Sequence, residues 1–143
     1  MGRMIFSTRS YLLGFGLPQA IEDQIKSVAT TERFDFINAG SFEEFNDLFT
    51  KIKNLVGIFC TPSVHVSDVV KIANQRNISY LVFSEKNHEQ ELIESGVNPA
   101  AIVSDGQKTV TESKQFLRSL VANGLDRLFK FSADSIFPVF FPD

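Results

Sequence analysis

The sequence predicts a three-layer α/β fold, a doubly wound parallel five-stranded sheet with helices on both faces. Two observations carry this. Between about residues 11 and 123, short apolar runs of strand length alternate five times with segments whose apolar residues recur at helical spacing. The third run, Leu55-Val56-Gly57-Ile58-Phe59-Cys60, is apolar throughout, as a strand covered on both faces must be. A chain of 143 residues, 43% apolar and 22% charged, is long enough to give such a sheet a core without metal or disulfide support.

The elements follow in order. Tyr11 to Gly16 reads as the first strand, and Leu17, Ala20, Ile21, Ile25 and Val28 mark a helix with Pro18 in its first turn, where a missing N–H is tolerated. Phe34 to Asn38 is the second strand. Ser41-Phe42-Glu43-Glu44 forms a capping box opening a helix on Phe45, Leu48, Phe49 and Ile52. After the third strand comes the turn Thr61-Pro62-Ser63, then a helical stripe at Val66, Val69, Val70 and Ala73. Ile78 to Phe83 is the fourth strand. Glu89 to Ser95 is a short helix that Gly96 closes in the left-handed conformation. Ala100 to Val103 is a short fifth strand. Thr109 and Glu112 suggest a second capping box, with Phe116, Leu117, Leu120 and Val121 as the stripe and Asn123-Gly124 as the stop.

Several function classes are disfavoured by composition. With 17 acidic against 14 basic residues there is no basic stripe for nucleic acid. No apolar run reaches the ~18 residues of a membrane span. The amino terminus carries no secretory signal, so a cytoplasmic location is expected. One cysteine and two histidines without ligand spacing predict no metal site.

Right-handed crossovers in such a chain give a flavodoxin-like strand order, with any ligand outside the carboxyl ends of the strands. This directs attention to Gly16 and Leu17, Asn38, Cys60 to Ser63, Ser84 and Glu85, and Ser104 and Asp105. The (β-α)5 length and strand placement over 11–123 resemble the receiver domain of two-component response regulators. The resemblance implies an acidic pair for Mg²⁺ after strand one, an acceptor Asp ending strand three, a hydroxyl ending strand four and a Lys ending strand five. Gly16-Leu17, Cys60, Ser84 and Ser104-Asp105 stand at those places, and only Ser84 matches. Phosphoryl transfer onto a protein requires a carboxylate nucleophile and a divalent cation. The expectation is therefore a degenerate, or pseudo-, receiver: a non-catalytic signalling module with no cofactor and no metal, acting through protein contact.

A second reading comes from Gly14-Phe15-Gly16-Leu17-Pro18-Gln19, which begins like a dinucleotide-binding fingerprint and would make the chain a Rossmann-like nucleotide- or cofactor-binding protein using the Gly14–Pro18 loop. Against it, Gln19 replaces the third glycine, Pro18 removes a first-turn N–H, and Asn38 stands where a ribose-binding acid is wanted. Cys60 is either a small buried apolar residue or, with His65 five residues on, half of a thiol–imidazole pair.

The ends differ in character. Residues 1–10 are expected to be a disordered or edge segment. Residues 124–143 form an apolar tail carrying Leu128, Phe129, Phe131, Phe137, Phe140 and Phe141, punctuated by Pro138 and Pro142. An apolar tail asks for a surface to cover it. The expected partner is thus another protein, an output domain attached beyond the tail, or a second copy of the chain in a homodimer. Phe116, Leu120, Leu128, Phe129 and Phe131 are the expected interaction surface.

Overall fold

A computed structural model describes residues 10–121. The segment 1–9 and the tail, with Leu128, Phe129 and Phe131, lie outside the described residues.

The apolar runs form five strands: β1 (Tyr11–Phe15), β2 (Asp35–Ala39), β3 (Leu55–Cys60), β4 (Ser79–Phe83) and β5 (Ile102–Val103). They pair in parallel in the order β2-β1-β3-β4-β5, the flavodoxin-like order. Between them run α1 (Gln19–Thr31), α2 (Phe42–Lys51), α3 (Val66–Gln75), α4 (Glu89–Glu94) and a last helix, α5, over 109–121.

Alternation along the strands builds two cores. Leu13, Phe15, Ile58, Cys60, Tyr80 and Val82 pack under α2, α3 and α4, around Phe45, Phe49, Val69, Val70, Ala73 and Leu92. Leu12, Phe59, Leu81, Phe83 and Val103 face the other way, against Ile25, Val28 and Ala29 of α1 and Leu117 of α5. Burial on both faces is why β1, β3 and β4 are almost unbroken apolar runs.

The helix stops share one device. After α1, α3 and α4 a residue turns left-handed, Arg33 (φ 67°), Asn77 (φ 57°) and Gly96 (φ 99°). The next amide then reaches back to the helix, Phe34 N to Ala29 O at 2.8 Å, Ile78 N to Ala73 O at 2.9 Å and Val97 N to Leu92 O at 3.0 Å. The Gly96 closure is as the sequence predicts. The other two use residues for which that conformation is less comfortable.

Some local expectations change. β1 ends at Phe15 rather than Gly16, and β2 runs one residue further along than Phe34 to Asn38. Helical turns at Lys86–His88 and Pro99–Ala101 precede α4 and β5, which shortens β5 to Ile102–Val103. Asn98 caps the second of these turns by accepting from Ala100 N at 3.0 Å, so Ala100 and Ala101 never enter the sheet. The Thr109–Glu112 capping box does not form. Thr109 is already helical and 3% exposed, and Asp105 provides the cap to the preceding turn by accepting from Gln107 N at 3.0 Å. Val121 points outward, away from the stripe it was assigned to. At Ser41 the side chain accepts from Glu44 N at 3.1 Å as expected, but Glu44 reaches back to Gly40 N at 2.7 Å, one residue before the cap.

A register shift between Tyr11 and Leu12 moves the β1 pairing from Leu55 to Gly57, so that Val56 and Gly57 both lie toward the core that α1 and α5 cover, Gly57 directly under α5. A Cβ on Gly57 would stand 2.9 Å from Leu12 Cδ2 and 3.1 Å from atoms of Phe116 and Leu120. The missing side chain is what lets α5 lie close on the sheet.

Candidate functional site

The carboxyl ends of the strands converge on one rim. β1 leaves through Gly16, whose φ of 67° suits only glycine without strain. Gly16 N donates to Ala39 O at 3.3 Å, and Gly16 O accepts from the Thr61 hydroxyl at 3.0 Å. The exits of β2, β1 and β3 are thereby joined. At the far side Ser84 N donates to Val103 O at 2.9 Å, joining the exits of β4 and β5.

The residues singled out in the sequence do not gather around one point. Leu17 folds into the core under α1 and Cys60 into the core on the other face, so the two leave the rim in opposite directions. Burial pushes the Cys60 thiol from its ordinary 9.0 up to about 12. His65 stacks flat on Phe42, ring centroids 4.2 Å apart, with its edge toward Phe15. A neutral buried thiol and a stacked imidazole are not an activated nucleophile and its base. Ser84 stays on the rim and donates only to the Glu85 carbonyl, at 3.0 Å. Ser104 is half-buried beside it, and Asp105 is committed to its cap.

Phe116 and Leu120 turn inward over Gly57, Phe116 with its ring edge-on to Phe59 at 5.3 Å. The outward apolar residues of α5 are Val110 and Val121, at 39% and 46% exposure.

The glycine pair of the fingerprint is divided between two roles. Gly14 lies inside β1, where a Cβ would meet Asn38 Oδ1 and Leu17 Cδ1 at 2.8 Å and Phe36 Cζ at 2.9 Å. Sheet packing accounts for it. Asn38 in turn donates to Glu22 at 3.0 Å, and Glu22 pairs with Lys26 at 3.1 Å, so this carboxylate is already occupied.

What the rim does contain is a cavity of about 350 Å³, set between the loops after β1, β3, β4 and β5. Of the residues predicted for the degenerate pocket, only Ser84 lines it. Its apolar wall is Pro18, Ile21, Pro62, Phe83 and Val103, and its polar atoms come from Thr61, Ser84, Glu85, His88 and Thr109. His88 is half-buried here, 3.9 Å from Glu85 and 3.7 Å from Glu91. Thr61 falls within the rim span Cys60 to Ser63 that the sequence selects, whereas Thr109 was expected only as a helix cap, because a Thr at a helix start is an ordinary capping residue. Among the described residues no cluster of His, Cys, Asp and Glu could hold a metal ion, and no helix is long and apolar enough to cross a membrane.

No protein-family profile matches the chain, and no curated protein matches it in sequence. Among solved structures it is similar to HP1043, an orphan response regulator of H. pylori, with a TM-score of 0.57 at 16% identity over 80% of this chain and 98% of that one. The likeness is one of fold: this is a receiver-like, flavodoxin-like (β-α)5 domain.

Proposed function

We propose that the domain is a non-catalytic regulatory module, a receiver-like fold that works without accepting a phosphoryl group and controls a protein partner or an attached output domain by contact. The observation that carries this is the pair Leu17 and Cys60. Where the chemistry would need a metal-binding acid and an acceptor carboxylate, both side chains are apolar in character and turned into opposite cores. The nearby carboxylates Glu22 and Asp105 are engaged elsewhere, one with Asn38 and Lys26, the other with a turn amide. In this reading α5 and the chain that follows it transmit the contact, through Val110, Val121 and the tail residues Leu128, Phe129 and Phe131 rather than through Phe116 and Leu120, which serve the core.

The test is incubation with acetyl phosphate and Mg²⁺ followed by intact mass measurement. No phosphoryl adduct is expected. A rapid, Mg²⁺-dependent, stoichiometric adduct would remove the proposal. Sedimentation of the full chain against a version ending at residue 123 tests the contact surface, which predicts loss of self-association or partner binding on truncation.

A further inference from the structure

At the amino ends of the strands, opposite the rim, β4 has an edge that no described strand covers. Ser79, Tyr80 and Leu81 pair with β3 on one side, but on the other side only Val82 and Phe83 pair with β5. The turn Pro99–Ala101 is kept out of the sheet, capped by the Asn98 side chain and tied through Asn98 N to the Tyr80 hydroxyl at 3.0 Å. A groove of about 520 Å³ lies there, with Ile78, Leu81, Ala100, Ala101 and Phe116 as its apolar wall. An uncovered strand edge is ready to accept another extended segment.

Three features single out residues 136–141 of this chain as the occupant. The first is charge. None of the described residues lining the groove is charged, its polar groups being the amides of Asn74, Asn77 and Asn98 and the hydroxyls of Ser79, Tyr80 and Ser119. Residues 135–142 are the longest uncharged stretch of the tail, and they carry Phe137, Phe140 and Phe141. The second is reach. Phe116 and Ser119 of α5 form one side of the groove, and the tail follows Val121, two residues after Ser119. Residues 122–135, at up to about 3.3 Å each, are more than long enough to turn back to the β4 edge. The third is the spacing of the prolines. In an extended strand the N–H groups of alternate residues point to opposite edges, and Pro138 and Pro142 are four residues apart. Both missing N–H groups therefore fall on one edge, while Phe137, Val139 and Phe141 present theirs to the other. That is the pattern of a strand paired along one edge only.

We propose that residues 136–141 dock into this groove within the same chain, as a further edge strand along Ser79, Tyr80 and Leu81, with Phe137, Val139 and Phe141 turning their backbone N–H groups toward β4. Leu128, Phe129 and Phe131 then lie in the connection between α5 and the docked strand, held at both ends in a fixed relation to the domain. The docking goes beyond the regulatory function and is tested apart from it, since it is measured on the chain alone, whether or not the protein can be phosphorylated.

Disulfide trapping in the full chain is the first test. Ser79 is exposed, and Cys60 is wholly buried and stays out of the reaction. Ser79→Cys combined with Val139→Cys is expected to close an intramolecular disulfide under mild oxidation, seen as a faster-moving monomer on a non-reducing gel. Asp47→Cys combined with Val139→Cys places one thiol on α2, away from the groove, and is expected to close at least tenfold more slowly. The second test is the amide chemical shifts of the ¹⁵N-labelled full chain. Val139→Pro removes an N–H that faces β4 and is expected to shift Ser79, Leu81, Ala101 and Ser119 toward the values given by a chain in which Phe137, Val139 and Phe141 are all changed to Ser. Phe140→Pro removes an outward N–H and is expected to move them much less. A disulfide-linked dimer would assign the groove to a second copy's tail, equal closure rates would leave the tail without a fixed place, and equal responses to the two prolines would mean that no strand forms. Each of these overturns the proposal.

Discussion

The hydroxyl of Thr61 donates to the carbonyl of Gly16 at 3.0 Å, joining two loops that are 45 residues apart in sequence. The bond closes the rim between β1 and β3, the pair at which the strand order reverses, and it depends on the left-handed turn that points the Gly16 carbonyl that way. Thr61→Val is expected to lower stability by about 1 kcal/mol, the ordinary net worth of one hydrogen bond. Gly16→Ala forces an L side chain into the left-handed region and is expected to cost about 1–2 kcal/mol. Urea denaturation of both single variants and the double variant checks this. Because one bond connects them, the double variant should lose less than the sum, and strict additivity would mean that the bond does not hold the two loops together.

Cys60 makes the protein's alkaline stability predictable. Its thiol is pushed up to about 12 in the folded state against an ordinary 9.0. Below pH 9 both states are protonated and the group contributes no pH dependence. Between pH 9 and 12 the unfolded chain releases the proton while the folded chain keeps it, so stability falls as pH rises, by about 1.4 kcal/mol per unit from this group alone. Cys60→Ala should remove that part of the slope, which is read as the difference between the two proteins' unfolding curves at pH 8 and pH 10. In the wild type, iodoacetamide at pH 8.5 should label only as fast as the protein opens.

Gly57 reports on how closely α5 is packed. With Leu12 wholly buried on one side and Phe116 and Leu120 on the other, the space for a methyl group is already taken. Gly57→Ala is expected to destabilise by about 1–3 kcal/mol and Gly57→Val by more. Both should change the near-ultraviolet signal of the neighbouring aromatic rings before global unfolding. A variant as stable as the wild type would mean that α5 yields easily.

Asn38 is poised between acceptance and repulsion. Its amide nitrogen donates to Glu22 at 3.0 Å, while its buried Oδ1 has no partner. Asn38→Asp replaces the donor by a second carboxylate beside Glu22, and a loss of roughly 1–3 kcal/mol at neutral pH is expected. The new acid is raised by its like-charged neighbour, so the folded state holds its proton more tightly than the unfolded one. Stability relative to wild type should therefore recover on acidification toward pH 4. A penalty that does not change with pH would point to lost packing alone.

Ser41→Ala removes the acceptor for Glu44 N and is expected to cost about 1 kcal/mol, measured as a lowered Tm. Glu44→Gln should cost less, because an amide oxygen still accepts from Gly40 N.

Where the sequence was readable, the signal was local. The apolar runs Leu55 to Cys60 and Ser79 to Phe83, the helical stripes at Phe45/Phe49 and Val69/Val70, and the Ser41 and Gly96 caps each follow from neighbouring residues and the period they impose. The misplaced details also have local causes. Asn98 and Asp105 bind nearby amides and turn the chain before β5 and before α5, and a Thr at a helix start is no guarantee that it is the cap.

The candidate site was much less legible, because membership of a rim depends on which way each side chain leaves the backbone. The linear order of residues placed Leu17, Cys60, Ser84 and Asp105 together at the strand ends, but strand alternation sent Cys60 into one core, and the left-handed turn at Gly16 carried Leu17 into the other. Thr61, His88 and Thr109, from three different loops, meet only after the sheet has closed. Local pattern by itself determined the α/β class and which residues are apolar enough to be core, since those follow from the periodicity of burial, while the strand order followed from the handedness of the crossovers. The cavity and the bond between Thr61 and Gly16 were decided by tertiary structure alone, because each depends on distances between groups that the chain brings together only by folding.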